Sequence, residues 1–258
     1  MLRQLLAGVV DGGVEWVART TSTNDLLVEA VESGRLGPGS VIVADFQTAG
    51  RGRMERTWLA PPGSSVLMSV AVAPPWPLES HPLVSLGMAM AAADAVAGLC
   101  GLNVELKWPN DLLLSGRKLG GILAQSVSAP DGTPAVVVGV GLNVSWPRDI
   151  PADIADSAVA LNHITDVTID RVELCAGIVT RLWPMVGPEA PPAEAVVMAF
   201  ARRCATLGQR VRVHLVGSPE AVCGRAVSIR SDGALAVETD RAGTVHVTTG
   251  DVEHLRPA

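Results

Sequence analysis

A glycine-rich segment with three arginines is the first part of the sequence that could do chemistry. TAGRGRMERTW, residues 48–58 and called here the arginine loop, places Arg51, Arg53 and Arg56 close together. Glycines let a backbone approach a ligand closely, and crowded cations attract an anion. The pattern matches neither a Walker A loop nor a dinucleotide-binding fingerprint. It indicates another kind of anion-binding loop, although a solvated basic turn would have the same composition.

The two lysines of the chain both lie in KWPNDLLLSGRKLGGIL, residues 107–123, whereas the chain has eighteen arginines among its 20 lysines and arginines. Pro109 removes a backbone donor and bends the strand, so the sequence predicts Lys107 at the end of a buried strand beside Trp108. Lysine is a compact three-donor cation that can follow an oxygen whose charge changes. We therefore predict that Lys107 contacts such an oxygen, against the alternative of a snorkelling surface lysine.

Polar residues also stand at the ends of two predicted elements. Ser22, Thr23 and Asn24 are typical of a helix N-terminus, and the same helix start could direct hydroxyls and N–H groups at a small polar ligand. GVGLNV, residues 139–144, ends an apolar strand with one amide, Asn143. Asparagine offers a donor and an acceptor together, as recognition of an adenine edge requires. A turn-forming asparagine would have the same pattern.

Strands and helices must position these residues. The predicted strands carry alternating or continuous apolar residues and span 14–20, 40–47, 64–72, 103–114, 118–127 and 135–144. The predicted helices have apolar residues at helical spacing and cover 22–34, 82–99, 170–182 and 193–207. From residue 209 onward, short strands and Gly/Asp turns predict a small five-stranded barrel. We therefore divide the chain into domains of residues 1–208 and 209–258.

Composition excludes several classes of protein. The net charge of -6 argues against a general nucleic-acid binder, and the chain has no uninterrupted apolar run long enough to predict a membrane span. The four cysteines are widely spaced, which is typical of free thiols in a reducing compartment. Too few residues precede the first predicted strand for a helix-turn-helix domain. We expect a cytoplasmic protein that binds neither DNA nor a membrane, and the oligomeric state stays open.

Together these motifs resemble those of the biotin protein ligases, in the order and spacing of that family. The resemblance rests on TSTN (21–24), QTAGRGR (47–53), Trp58, KWPNDLLL (107–114), RKLGGIL (117–123), GVGLNV (139–144) and GDVEHLR (250–256). It implies an α+β fold, with a mixed β-sheet catalytic core similar to class II aminoacyl-tRNA synthetases and helices on one face of the sheet. A small SH3-like β-barrel would follow. It also implies the short form of the family, without an N-terminal DNA-binding domain.

The activity implied by this resemblance is ATP-dependent joining of biotin to a protein. Biotin would be activated as biotinyl-5′-AMP with ATP and Mg²⁺, whose ligands stay open, and then transferred to a lysine of a biotin carboxyl carrier protein or domain. The implied biotin-binding residues are Ser22, Thr23, Asn24, Gln47, Gly50, Arg51, Gly52, Arg53, Lys107, Gly120 and Gly121. The implied ATP-binding residues are Arg51, Arg53, Trp58, Lys107, Lys118 and Asn143. Of these, Lys107, Arg51 and Arg53 would be catalytic.

One position departs from the family pattern. The arginine loop has Glu55 where many members have a glycine, which puts the shape of the far end of the loop and a role for Arg56 in question. We expect the loop to be mobile without an anion, because its arginines repel one another. Three alternatives stay open: a lipoate ligase or octanoyltransferase on a similar core, a biotin-sensing repressor, and an inactive nucleotide-binding module. KWPND together with GRGR favours the biotin ligase.

Overall fold

The fold is given by a computed structural model that describes residues 1–54, 56–149, 154–216, 220–240 and 243–255. The strands of its main sheet are β1 (Val14–Val17), β2 (Val41–Ala44), β3 (Ser65–Val72), β4 (Glu105–Lys107), β5 (Asp111–Leu114), β6 (Arg117–Ser128) and β7 (Pro134–Asn143). They lie in the order β1-β2-β3-β7-β6-β5-β4. The pair β1–β2 is parallel and the other neighbouring pairs are antiparallel. The prediction of a mixed sheet is confirmed.

Helices cover both faces of this sheet. The described α-helices are α1 (Leu2–Leu5), α2 (Thr23–Glu32), α3 (Val84–Cys100), α4 (Arg171–Val186) and α5 (Ala193–Ala201), with 3-10 helices at Leu78–Leu83 and Leu161–His163. Val41 and Val43 of β2 face the core that contains α3 and α4. Ile42, which points the opposite way, packs with Leu27 and Val31 of α2. The expectation of helices on one face is therefore wrong, since the apolar residues of the second face are covered by α2.

Helix α3 is the central helix of the core. Together with the preceding 3-10 helix it forms Leu78–Cys100, which is long and apolar enough to cross a membrane, yet 67% of its most apolar window is buried inside the protein. A helix that is apolar all round and covered by its own protein is a core helix. It ends at Gly101, whose φ of 69° lies in the left-handed region that favours glycine.

The segment predicted as one strand over 103–114 is a hairpin. β4 ends at Lys107, β5 begins at Asp111, and the two strands pair antiparallel with these two residues opposite each other. Trp108, Pro109 and Asn110 form the turn. Pro109 has no backbone N–H to offer a neighbouring strand, so the chain turns at this point. The single-strand prediction was wrong here, and the turn decides which way Lys107 faces.

A second sheet follows the helices. Its strands are β8 (Arg210–Leu215), β9 (Ala221–Ile229), β10 (Leu235–Thr239), β11 (Gly243–Val247) and β12 (Gly250–His254). They are antiparallel in the order β11-β10-β9-β8-β12. Across the described parts of this region, β11 and β12 do not pair to close a barrel. We propose the domain division at 208/209, because β8 begins at Arg210.

The two domains are joined by direct contacts around the turn between β4 and β5. The Trp108 backbone N donates to Thr206 Oγ1 at 3.1 Å, and the Trp108 indole Nε1 donates to the Gly233 carbonyl at 2.9 Å. His254 Nε2 of β12 lies 3.1 Å from the same Thr206 hydroxyl. Strand β12 is thereby held beside the end of β4.

Candidate active site

A cavity of about 280 Å³ lies on the face of the main sheet that α2 covers, beside the start of that helix. Its floor is formed where β6 and β7 carry glycines, at Gly121, Gly139 and Gly141. The arginine loop lines another side, and β12 of the second domain adds Gly250 and Asp251. Both domains therefore contribute to one site.

Most of the predicted site residues line this cavity. The structure brings together Ser22, Thr23, Asn24, Gln47, Arg51, Gly52, Arg53, Trp58, Lys118, Gly121 and Asn143. Gly50, Lys107 and Gly120 do not line it. Gly50 is a buried residue of the arginine loop, and its carbonyl accepts a hydrogen bond from Trp58 N of the same loop at 2.9 Å. Gly120 is buried within β6.

The two lysines predicted for the ATP site lie in different surroundings. Lys118 lines the cavity, with its Nζ 2.6 Å from Asp111 Oδ1 and 5.9 Å from the centre of the Trp58 ring. Lys107 lies outside the lining, at the end of β4 and close to β12. The expectation that Lys107 reaches into the site is corrected by the β4–β5 turn, which leaves it beside the second domain. Asp111, which the sequence analysis gave no role, instead joins Lys118 in the cavity.

The start of α2 forms a polar end of the cavity. Ser22 is the N-cap of the helix, and its hydroxyl accepts a hydrogen bond from Asp25 N at 3.4 Å. The backbone N and the hydroxyl of Thr23 both donate to Gln47 Oε1, at 2.7 and 3.0 Å. The predicted helix N-terminus is confirmed, and its first turn fixes the orientation of the Gln47 amide.

A buried hydrogen-bond network continues from this end into the sheet. Asn24 Nδ2 donates to Gln125 Oε1 at 2.9 Å and to the Leu123 carbonyl at 3.2 Å. Ser69 Oγ lies 2.6 Å from Asn24 Oδ1 and 2.8 Å from Thr23 Oγ1, and Ser69 has no exposed surface. Sequence reasoning missed Ser69 and Gln125. The available signal was a serine inside the otherwise apolar run VLMSVAV, because a buried hydroxyl needs a partner.

Two buried polar atoms at the other side of the site have no hydrogen-bond partner among the described residues: Trp58 Nε1 and Asn143 Oδ1. Asn143 is 2% exposed, and its Nδ2 already donates to the Val159 carbonyl at 3.0 Å. Its Oδ1 is therefore the atom left to accept a hydrogen bond from a ligand. An unpaired buried donor or acceptor is costly. The two atoms therefore suit a ligand that accepts a hydrogen bond from Trp58 Nε1 and donates one to Asn143 Oδ1.

The Trp58 ring lies against bare backbone. A Cβ added at Gly141 would lie 2.5 Å from Trp58 Cε2, whereas one at Gly121 would lie 3.4 Å from Trp58 Cζ3. Only a glycine at 141 leaves room for the ring in this position. The glycine floor therefore allows the indole to pack directly against the backbone of the sheet.

Each described arginine of the loop has a polar partner. Arg51 pairs with Asp25 of α2. Arg53 Nη1 donates to Asn110 Oδ1 at 3.2 Å, and its Nη2 donates to Thr249 Oγ1 at 2.6 Å. Burial lowers the pKa of Arg53 from its usual value. These contacts tie the loop to α2, to the β4–β5 turn and to the second domain.

Arg56, whose role the sequence left in question, lines the cavity and pairs with Asp251 of β12 at 2.7 Å. The hydrogen bond to Asp251 raises the pKa of Arg56. Burial opposes ionisation of Asp251, but the hydrogen bond from Arg56 and the charges of Arg56, Lys107 and Lys118 hold its pKa below the usual value. Glu55 lies outside the described residues. No sequence signal placed Asp251 here, because it is far away in the chain.

Comparison with known proteins gives a consistent result. Residues 16–143 match the Biotin/lipoate A/B protein ligase family. The chain is 35% identical over 267 residues to a biotin–[acetyl-CoA-carboxylase] ligase of Mycobacterium tuberculosis, covering 99% of this chain and 94% of that protein.

Solved structures agree. A biotin protein ligase from Aquifex aeolicus in complex with biotin and ATP is 26% identical, with a TM-score of 0.75 over 95% of this chain and 99% of that one. A biotin protein ligase from Leishmania major in complex with biotinyl-5-AMP is 25% identical, with a TM-score of 0.61 at the same coverage of both chains, 95% and 99%. Because the M. tuberculosis relative is matched over nearly its whole length, and because the motifs behind the resemblance line one cavity, this chain belongs to the biotin protein ligases.

Proposed function

We propose that this chain activates biotin with ATP as biotinyl-5′-AMP and transfers the biotinyl group to a lysine of a biotin carboxyl carrier protein or domain. Membership of the biotin protein ligases supports the ATP-dependent ligase activity. One observation carries the assignment of the site. A single cavity contains a fixed polar end at α2, the cations Lys118, Arg51 and Arg53, and the unpaired polar atoms of Trp58 and Asn143.

The α2 end suits the ureido ring of biotin. That ring is flat, and it presents N–H donors and a carbonyl acceptor. Thr23, Asn24 and Gln47 are already held by hydrogen bonds to one another or to β3 and β6. Polar groups that are fixed in this way lose little freedom when they bind a ligand.

The opposite end suits adenine. Asn143 Oδ1 can accept from the exocyclic amine of adenine, and the hydrogen bond from Asn143 Nδ2 to the Val159 carbonyl fixes the orientation of the amide. Guanine presents a carbonyl oxygen in place of this amine, so the site should discriminate against GTP. Trp58 supplies an aromatic face for stacking of the base.

In the first step, an oxygen of the biotin carboxylate bonds to the α-phosphorus of ATP, and the bond from that phosphorus to the bridging oxygen of pyrophosphate breaks. Two anions must approach each other, so the protein contributes alignment and positive charge. Arg51 and Arg53 reach the cavity from the loop and Lys118 from β6.

We propose Lys118, rather than Lys107, as the ammonium of this step. It is the lysine of the cavity lining, and the Asp111 carboxylate at 2.6 Å holds its Nζ in place. A compact ammonium can turn its donors from the carboxylate to a phosphate oxygen as charge moves. An arginine at position 118 would be less able to turn its donors in this way, because its guanidinium is planar and rigid.

Magnesium would enter with ATP as MgATP. No group of three or more His, Cys, Asp or Glu side chains suited to hold a metal ion occurs among residues 1–54, 56–149, 154–216, 220–240 and 243–255. Mg²⁺ usually binds through one or two carboxylates plus substrate phosphates, and Asp111 and Asp251 of the cavity fit that pattern. When bound, the ion would neutralise part of the phosphate charge.

In the second step, the neutral ε-amine of the acceptor lysine bonds to the acyl carbon of the mixed anhydride. The carbon–oxygen bond to AMP breaks with its electron pair going to AMP, and the nitrogen releases one proton to solvent as the amide forms. A lysine pKa near 10.4 leaves only about one amine in a few thousand neutral at pH 7. Lys118 beside the anhydride would disfavour a second ammonium there, which helps the acceptor to react in its neutral form.

We place this reaction in the cytoplasm. All four cysteines, Cys100, Cys175, Cys204 and Cys223, are free thiols. A reducing compartment keeps thiols in this state.

The direct test is incubation of the protein with biotin, MgATP and a purified biotin carboxyl carrier domain, read as the mass gain of one biotinyl group. Exchange of labelled pyrophosphate into ATP, with biotin or lipoate added, isolates the first step and should depend on biotin alone. Lys118→Ala should lower this exchange by about a hundredfold or more, whereas Lys107→Ala should keep most of it. Exchange that runs without biotin, or that follows lipoate, would contradict the proposal. The reverse order of the two lysine variants would contradict the assignment of Lys118.

A further inference from the structure

We infer that Asn162 is a positioning residue for the nucleotide end of the cavity, and that it acts by holding Trp146. The inference rests on the proposed function and adds a residue outside the motifs that identify the family. Asn162 itself does not line the cavity, whereas Trp146 does.

The contact between the two residues is specific. Asn162 Oδ1 accepts from Trp146 N at 3.1 Å, and Asn162 Nδ2 donates to the Trp146 carbonyl at 2.9 Å. One side-chain amide thus pairs with both backbone groups of one residue, as a neighbouring strand would. The backbone N of Asn162 also donates to the Val144 carbonyl at 3.0 Å. Trp146 is 6% exposed, and its indole Nε1 donates to Ser65 Oγ at 2.8 Å.

The segment that carries Asn162 also holds two other cavity residues. Lys118 N donates to the Ser157 carbonyl at 2.7 Å, and Val159 N donates to the Lys118 carbonyl at 2.9 Å. The Val159 carbonyl accepts from Asn143 Nδ2 at 3.0 Å. Residues 157–162 therefore set the positions of Lys118, Asn143 and Trp146 relative to one another.

Asparagine is the side chain that this contact requires. Aspartate has the same shape and can still accept from Trp146 N, but its second oxygen faces the Trp146 carbonyl without a hydrogen to donate. Alanine makes neither bond. His163 Nε2 lies 3.3 Å from the Trp146 carbonyl and gives that oxygen a second neighbour. Among the residues that the structure describes, the backbone N of Trp146 has Asn162 as its one partner.

The test is the pair of Michaelis constants for ATP and biotin in pyrophosphate exchange by the full-length protein. Asn162→Ala should raise the KM for ATP about tenfold, the loss expected for one or two hydrogen bonds. The KM for biotin and kcat at saturating ATP should stay within about twofold of wild type. Asn162→Asp should resemble Asn162→Ala. The matched control is Asn103→Ala, at an exposed asparagine away from the cavity, which should leave all three constants unchanged.

A second variant guards against misfolding. Ser65→Ala removes the partner of the Trp146 indole and should raise the KM for ATP selectively by the same route. Wild-type KM for ATP in a folded Asn162→Ala protein would overturn the inference, as would an equal rise in both Michaelis constants. If Asn162→Ala does not fold, an unchanged KM for ATP in Ser65→Ala overturns it. An inactive wild-type protein would refute the proposed function together with this inference, whereas an active wild type with unaffected variants would refute the inference alone.

Discussion

Gly141→Ala should weaken the use of ATP while leaving the fold and biotin binding nearly intact. The added Cβ would lie 2.5 Å from Trp58 Cε2, 2.7 Å from Nε1 and 2.9 Å from Cζ2. Favourable carbon–carbon contacts begin at about 3.5 Å, so the indole must retreat by about 1 Å. Gly141 does not have the left-handed φ that alanine would strain. The cost therefore falls on the position of Trp58 and not on the strand.

The size of the effect follows from this displacement. A misplacement of about 1 Å in a substrate-positioning group can cost about a hundredfold in rate, or about 2.8 kcal/mol. We expect kcat/KM for ATP to fall by about that factor in pyrophosphate exchange. The affinity for biotin, measured by calorimetry, should change little, because the polar end at α2 is not touched. The melting temperature should stay close to that of wild type.

Gly121→Ala is the matched comparison. It adds the same methyl group to the neighbouring strand, but its Cβ would meet Trp58 Cζ3 at 3.4 Å, an ordinary contact. The ATP defect should therefore be much smaller than in Gly141→Ala. Equal defects in the two variants, or normal ATP kinetics in Gly141→Ala, would refute the view that the glycine floor seats the indole for nucleotide binding.

Two further predictions concern buried polar groups. Burial, followed by the charge of Lys107, lowers the pKa of His254 below 6.5. As the pH falls, His254 is therefore protonated in the unfolded chain before it is protonated in the folded one, and the free energy of unfolding decreases below about pH 6.5. His254→Gln should flatten that fall in melting temperature, and an unchanged pH profile would contradict it. Ser69→Ala removes the hydroxyl beside Thr23 and Asn24, which should weaken biotin binding by about tenfold. Calorimetry with biotin checks this, and a loss confined to ATP would count against the placement of biotin at α2.

The local rules of the sequence predicted much of the framework. Ser22 followed by Asp25 marked the start of α2, where the structure has Ser22 as the N-cap, and this end of the helix lines the cavity. The glycine and arginine pattern of the loop indicated a site before any fold was known. These signals are local, since a cap, a turn or a glycine-rich loop is specified by a few adjacent residues.

The side on which a residue faces was harder to predict. Lys107 lies between the apolar residues Leu106 and Trp108, whereas Lys118 follows Arg117, and a single strand over 103–114 therefore favoured Lys107 as the lysine of the site. The turn at residues 108–110 reverses the chain, so Lys107 lies opposite Asp111 at the end of β4 and beside β12. A short reversal inside an apolar stretch changes the position of every side chain after it. Local composition does not determine this geometry.

Contacts between residues that are distant in the chain could not be predicted from the sequence either. Asp251 pairs with Arg56 from a separation of 195 residues, and Thr249 pairs with Arg53 across 196. Neither residue stands out in its own segment. They lie near the site because the second domain is held against the first by the bond from Trp108 to Gly233 and by the contact of His254 with Thr206.

These partners change how the arginine loop should work. The sequence predicted repelling cations that wait for an anion, whereas the structure gives Arg51, Arg53 and Arg56 a partner each. A substrate anion must then compete with an aspartate or a hydroxyl for each guanidinium, so binding is an exchange of partners. When Arg56 leaves Asp251 for a substrate anion, a contact between the arginine loop and the second domain is also lost. Charge at the site and the position of β12 are therefore coupled, and substrate binding should alter both.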